Sequence, residues 1–297
     1  MNEQTWQAIV AHIAQTTGQY FEIQTHYNIV GGCINNSYRI EGTGQNYFVK
    51  LNDKKHADVF AAEAAGLNEL AKSATIKVPL PLCWGATTEH AYLVMEYLAL
   101  YSSGHPAVST LLGQQLAAMH RVTGVVFGHH RNNYIGLTPQ LNVSKENWID
   151  FWRQHRLGFQ LEQAARNGYG GQLQHQGERL LIGMDVLFDN YPPVPSLLHG
   201  DLWSGNCAAI YGGQPVVFDP AVYYGDRETD LAMTELFGGF STHFYNAYQD
   251  HFPLKDGYYV RKNLYNLYHI LNHLNLFGSG YLKQAEEMVA LLLSELH

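Results

Sequence analysis

Apolar residues recur at intervals of three and four near the amino end, at Trp6, Ile9, Val10 and Ile13, the period of a helix with one face turned inward. The spacing predicts a helix over 5–18. The rhythm then changes to short segments rich in β-branched and aromatic residues: NSYRIEG at 36–42, YFVKLN at 47–52 and AYLVMEYL at 91–98. Such segments suit a pleated, half-buried surface and read as strands, the first two joined by a turn at Gly42-Thr43-Gly44-Gln45-Asn46. Between the second and third strands, DVFAAEAAGLNELAKS at 58–73 is rich in Ala, Leu and Glu, all strong helix formers.

After Leu98 the pattern shifts. LALYSSGHPAVST at 98–110 is polar and turn-rich, a joint between two lobes. Helical patterns dominate from there, beginning with the Leu112, Leu116 and Met119 stripe of LLGQQLAAMHRV at 111–122. Two brief strands interrupt them, Ser196 to His199 and Pro215 to Asp219, and the tail from Tyr258 to His297 reads as helical. NGYGGQ at 167–172 follows no strand and reads as a linker between helices. The expected fold is α+β and two-lobed. Residues 1–97 form a small lobe of antiparallel strands with one main helix, and residues 98–297 form a larger, mostly helical lobe. A ligand cleft is expected at the joint.

Composition adds little to the architecture but narrows the partners. At 46% hydrophobic and 15% charged residues, the 297-residue chain is an ordered globular protein. The 26 acidic residues exceed the 18 basic ones, giving a formal charge of −8, which speaks against nucleic acid or an anionic membrane as partner and favours a cationic one. Cys33, Cys83 and Cys207 are too few and too widely spaced for a disulfide framework or a zinc site. Reduced thiols imply a cytoplasmic setting. MNEQTWQAIVAHIAQ carries no secretory leader pattern, and the apolar cluster MVALLLSEL at 288–296 falls short of the roughly 20 residues a membrane span needs. No oligomeric state is legible.

The chemistry concentrates in HGDLWSGN at 199–206. Asp201 and Asn206 leave a short strand in a loop, and Asp219 ends the apolar segment PVVFD thirteen positions after Asn206. Three oxygen-bearing side chains at the ends of short strands suit a hard divalent cation and leave one carboxylate over. Phosphoryl transfer needs that set: a carboxylate to orient an acceptor hydroxyl and Mg²⁺ to neutralise the transferred group. Upstream, Lys50 ends the strand YFVK and Glu63 lies on the next helix, the pairing by which kinase-like folds aim an ammonium at the α- and β-phosphates.

With these residues in place, the chain resembles the fructosamine and ketosamine 3-kinases, within the wider kinase-like group that includes the aminoglycoside phosphotransferases and choline kinases. The resemblance rests on GGCINNSYR at 31–39, FVK at 48–50, AAEAAGL around Glu63, LVMEYL at 93–98, FGHHRNNYIG at 127–136, HGDLWSGN at 199–206 and FDPAVYYGDRETDLAM at 218–233. It implies a protein-kinase-like fold and ATP-dependent phosphorylation of the 3-hydroxyl of ketoamines, namely ribulosamine, erythrulosamine or fructosamine adducts, in repair of glycation. Asp201 would be the catalytic base, Asn206 and Asp219 the Mg²⁺ ligands, Lys50 and Glu63 the phosphate-orienting pair, and Asp230 a brace for the catalytic loop. Glu96-Tyr97-Leu98 would meet the adenine edge through the backbone, and Gly31 and Gly32 would face the phosphates. Gly200 where a protein kinase has arginine, and Pro220-Ala221 after the metal acid, depart from protein kinases. The stretch from residue 31 also lacks the GxGxxG spacing.

Several residues keep two readings. Trp203 either stacks on an apolar sugar face or anchors its loop. Asp226 caps a helix or contacts substrate. Gly31 and Gly32 also suit a hairpin turn. Cys33 is a redox-sensitive thiol or inert packing. His269 and His273, four apart, have zinc-like spacing without the glutamate of an HExxH motif. The alternative functions are an aminoglycoside or choline-type small-molecule kinase, and a non-catalytic ATP-binding regulatory protein.

Overall fold

The structure is a computed structural model that describes residues 3–29, 35–42 and 44–296. Gly31, Gly32 and Cys33, expected in a phosphate-facing loop, lie outside the described residues. The chain runs α1 (Glu3–Thr17), β1 (Thr25–Ile29), β2 (Asn36–Gly42), β3 (Gln45–Asp53), α2 (Ala57–Lys72), β4 (Pro81–Ala86) and β5 (His90–Glu96). It continues with α3 (Pro106–Met119), β6 (Asn133–Ile135), β7 (Thr138–Gln140), α4 (Trp148–Trp152), α5 (Gly158–Arg166), α6 (Gln172–Gly183) and β8 (Ser196–Leu198). The remainder is β9 (Cys207–Ala209), β10 (Pro215–Val217), β11 (Tyr223–Gly225), α7 (Glu228–Leu236), α8 (Thr242–His251), α9 (Tyr258–Phe277) and α10 (Leu282–Ser294).

The first five strands form one antiparallel sheet in the order β1-β2-β3-β5-β4. Both faces are covered, so alternate residues of each strand belong to different cores. Val49, Leu51, Tyr92 and Val94 pack with Ile9 and Ile13 of α1. Ala91, Leu93 and Met95 pack with Phe60, Ala64, Leu67 and Leu70 of α2. Lys50 lies opposite Leu93 in the register and therefore emerges on the α2 side. The parity of a single strand thus delivers its ammonium to the right face.

The second core continues across the joint. Leu93 and Phe60 share one apolar cluster with Leu112 and Leu116 of α3, Leu202, Val217, Leu231 and Phe244. A further cluster, built on Trp148, Phe151, Trp152, Tyr265, Tyr268 and Leu271, fills the helical region. Three short antiparallel ladders, β6–β7, β8–β11 and β9–β10, lie on the α3 side of the joint.

Some expectations needed adjusting. The tail forms two helices, because Gly278 at φ +95° ends α9. NGYGGQ does connect two helices, α5 and α6. His269 is buried, and Nδ1 of His273 donates to the His269 carbonyl at 2.8 Å, so the His273 side chain is tied to its own helix. No group of three or more potential His, Cys, Asp or Glu metal ligands exists among the described residues, and no described helix is long and apolar enough to cross a membrane.

Candidate active site

The site assembles where the sheet meets the helical region. Lys50 on β3 is 5% exposed, and its Nζ donates to Glu63 Oε1 on α2 at 2.6 Å and to Asp219 Oδ1 at 2.5 Å. Burial alone would favour the neutral amine, but Asp219 and Glu63 outweigh it and raise the pKa of Lys50. Glu63 is pushed up by its own burial, with Lys50 pulling against that. The strand, the helix and the loop after β10 are thus joined at one ammonium.

Asp219 has φ +56°, a left-handed conformation that side chains other than glycine seldom take. Its neighbours impose it. The Val217 amide donates to the Lys77 carbonyl at 3.0 Å, the Phe218 amide to the Asn206 carbonyl at 3.1 Å, and the Ala221 amide to the His199 carbonyl at 2.9 Å. Backbone strain held by surrounding hydrogen bonds is a recurrent property of functional sites.

Asp201 and Asn206 lie in the loop after β8. Asn206 Nδ2 donates to the Asp201 carbonyl at 2.9 Å and to Asp201 Oδ2 at 3.2 Å. Burial first, and then the charge of Asp219, push the Asp201 carboxyl up to about 7, against the hydrogen bond from Asn206. The loop conformation needs glycine at one position. Gly200 has φ +83°, and a Cβ there would sit 2.1 Å from the Ala221 carbonyl oxygen.

His199 stitches this loop to the Asp219 segment. Its Nδ1 accepts from the Asp201 amide at 3.3 Å, so the ring proton belongs on Nε2, which donates to the Phe218 carbonyl at 3.0 Å. Burial lowers the pKa of this imidazole and keeps it neutral, as that pattern requires. Asp230 on α7 accepts the amides of His199 and Gly200, each at 2.8 Å, and Nε2 of His120 at 3.1 Å. Its carboxyl is held below the usual range despite burial, which alone would raise it, because these donors outweigh the desolvation.

Among the described residues, neither the amide nor the carbonyl of Tyr97 or Leu98 takes part in a backbone hydrogen bond. Glu96 pairs with Lys77 at 2.9 Å, and Arg39 lies 4.5 Å over the Tyr97 ring. Trp203 is half-buried, edge-on to Phe237 at 6.2 Å, with its ring lying across Gly205.

Asp226 corrects the substrate-contact reading. It is fully buried, and its oxygens accept from Tyr191 at 2.7 Å, Tyr265 at 2.5 Å and the Glu228 amide at 3.0 Å. The last bond caps the start of α7, and no surface is left for a ligand. The motif at 199–206 draws attention to Asp201 and leaves its supports unannounced. His120 lies 110 residues from Asp230, a separation that no local pattern reveals.

A strand lysine, a helix glutamate and two acids around one junction define a two-lobed, kinase-like phosphotransferase of α+β class. The family profile of the fructosamine kinases matches residues 5–295, and the chain belongs to that family. It is 48% identical to a Synechocystis sp. protein assigned as a ketoamine kinase, over 96% of this chain and 95% of the other. It is 41% identical to the chloroplastic protein-ribulosamine 3-kinase of Arabidopsis thaliana, over 92% and 84%. The crystal structure of a Haemophilus somnus protein assigned as a fructosamine-3-kinase matches with a TM-score of 0.88 at 30% identity, covering 97% of each chain. An aminoglycoside phosphotransferase complexed with ADP and hygromycin B matches at 0.64 and 13% identity over 97% and 98%, a likeness of fold alone. The chain is an ATP-dependent kinase acting on a hydroxyl group.

Proposed function

We infer that the chain moves the γ-phosphoryl group of ATP to the 3-hydroxyl of a ketoamine, a ribulosamine, erythrulosamine or fructosamine adduct, in repair of glycation. The observation that carries this reading is the convergence of Asp201, Asn206, Asp219, Lys50 and Glu63 at one junction. Residues 1–97 would hold the nucleotide, with the backbone of Tyr97 and Leu98 at the adenine edge, and residues 98–297 the acceptor.

Asp201 acts as the base. A carboxyl near pH 7 is well matched to taking a hydroxyl proton at neutral pH. As the acceptor oxygen bonds to the γ-phosphorus, the bond from that phosphorus to the bridging oxygen breaks, the proton passes to Asp201, and ADP leaves. Lys50, held by Glu63, orients the phosphates.

The donor set also fits Mg²⁺. Asn206 spends its amide nitrogen on Asp201 and keeps Oδ1, and Asp219 gives one oxygen to Lys50 and keeps the other. Glu63 and Asp219 share the single ammonium of Lys50, and the Asp201 carboxyl lies close enough to Asp219 to feel its charge, an excess of negative charge that attracts a cation. Magnesium usually takes one or two protein carboxylates and completes its shell with phosphate oxygens and water. When bound, it supplies neutralisation of phosphate charge. Trp203, half-buried beside the loop, offers an apolar face to the acceptor sugar. The free, buried thiols of Cys83 and Cys207 suit a cytoplasmic setting.

The test is ATP consumption against ribulose-, erythrulose- and fructose-modified lysine, with kanamycin and choline alongside. Turnover on at least one ketoamine and none on the other two compounds is expected; the reverse pattern, or nucleotide binding without any transfer, overturns the assignment. Lys50→Ala should reduce kcat/KM for ATP by at least about tenfold, since it removes the ammonium that orients the phosphates. Unchanged ATP kinetics in that variant would remove Lys50 from the nucleotide site.

A further inference from the structure

Glu63 can orient Lys50 only while α2 stays against the sheet, and the C-terminal lobe grips this helix at both ends. In its first turn, Asp58 accepts from Arg131 Nη2 at 2.9 Å and from the Tyr134 hydroxyl at 3.0 Å. The same guanidinium reaches the Ala61 carbonyl with Nη1 at 3.2 Å. Nearer the other end, Glu69 accepts from the Tyr224 hydroxyl at 2.9 Å. Between these grips, a Cβ at Gly66 would stand 3.1 Å from Val222 Cγ2, so the helix also lies close against the segment that follows Asp219.

The gripping residues are tied to the catalytic loop. Tyr224 is on β11, paired with β8, the strand that leads into His199 and Asp201. Arg131 and Tyr134 flank Asn133, whose Nδ2 donates to the Val222 carbonyl at 2.8 Å. Gln140, at the end of the same small ladder, donates to the Ala221 carbonyl at 3.0 Å. The helix bearing Glu63, the Asp219 segment and the Asp201 loop therefore form one hydrogen-bonded body.

We propose that Arg131, Tyr134 and Tyr224 are positioning residues that clamp α2 to the C-terminal lobe, holding Glu63 on Lys50 before nucleotide arrives. This rests on reading Lys50 and Glu63 as the nucleotide-orienting pair. In the Arg131–Asp58 pair the carboxylate is largely exposed and the guanidinium half-buried, so the pair is weak on its own. Its consequence comes from acting with the two tyrosines on one rigid helix.

The test uses the full chain with Arg131→Met, Tyr134→Phe and Tyr224→Phe combined, which leaves the sequence of α2 intact. Dissociation constants for Mg·ATP are measured without acceptor, together with hydrogen exchange of the α2 amides. A helix freed to leave its position lowers the binding-competent fraction, so ATP affinity should weaken about fivefold and the α2 amides should exchange faster. In a Glu63→Gln background the same three substitutions should alter affinity by less than about twofold, because what they secure is already lost. Equal weakening in both backgrounds, or none in the parent, overturns the clamp. Should the triple variant not fold, Tyr224→Phe alone is expected to weaken affinity about twofold, again only when Glu63 is present. If Glu63→Gln by itself leaves ATP affinity unchanged, the orienting-pair reading fails. If the parent binds ATP and phosphorylates no ketoamine, only the acceptor assignment fails.

Discussion

Asp201→Asn is expected to lower kcat by about 10²- to 10⁴-fold, the usual contribution of a positioned general base, while the dissociation constant for ATP stays close to that of the parent. The two observables separate because, among the described residues, Asp201 bonds within its own loop, to Asn206 and through its amide to His199, whereas the ammonium proposed to orient the nucleotide is held by Glu63 and Asp219. The same substitution has a stability signature of opposite sign. Burial and the charge of Asp219 push the folded Asp201 carboxyl up to about 7 from its ordinary value of 3.8. A carboxyl raised by folding destabilises the folded state progressively as pH climbs from the unfolded value through the folded one. In buffer containing a metal chelator, the variant should therefore melt at or above the parent at pH 8, with the difference shrinking toward pH 4. Retention of more than about a tenth of parent turnover would be inconsistent with a base at this position.

The five residues at the centre of the site were legible because each sits in a contiguous motif whose local structure the sequence also specifies. The strand YFVK has the parity that turns Lys50 toward α2, and the helix around Glu63 is built from strong helix formers. What was not legible is held by distant partners. Asp226 looks the same in sequence whether it caps a helix or faces a ligand, and Tyr191 and Tyr265, 35 and 39 residues away, decide the matter by burying it. β1, THYNI, has an exposed and mostly polar surface without alternation, so only its pairing with β2 makes it a strand. The ladders β6–β7, β8–β11 and β9–β10 involve three residues per strand, too short for a period to register. The grips on α2 join residues more than 70 positions apart, and nothing local marks Arg131 or Tyr134 as partners of Asp58.

Asp230→Ala should cost more than its distance from the reacting atoms suggests. Asp230 ends a directed chain of hydrogen bonds. Arg227 donates to the Tyr248 hydroxyl at 2.9 Å, and that hydroxyl donates to Nδ1 of His120 at 2.8 Å. Nε2 of His120 then donates to Asp230, which also accepts the amides of His199 and Gly200. Burial lowers the pKa of His120, so its ring is neutral and its single proton is committed to Asp230. Removing the carboxylate leaves three buried donors without acceptors, at about 1–3 kcal/mol each. The expected loss of stability is therefore about 3 kcal/mol or more, and a fall in melting temperature of about 5 °C or more at this chain length. Catalysis suffers separately, because the two amides released are those immediately before Asp201. A displacement of about 1 Å at a catalytic group can lower turnover about 10²-fold. Asp230→Asn separates the two effects. It preserves volume and one acceptor, but its amide nitrogen must oppose a backbone N–H, so the fold should persist while kcat falls about 10²-fold. Full turnover in a folded Asp230→Asn protein would show that the loop keeps its shape without this brace, and the placement of Asp201 would then have to come from His199 and Gly200 alone.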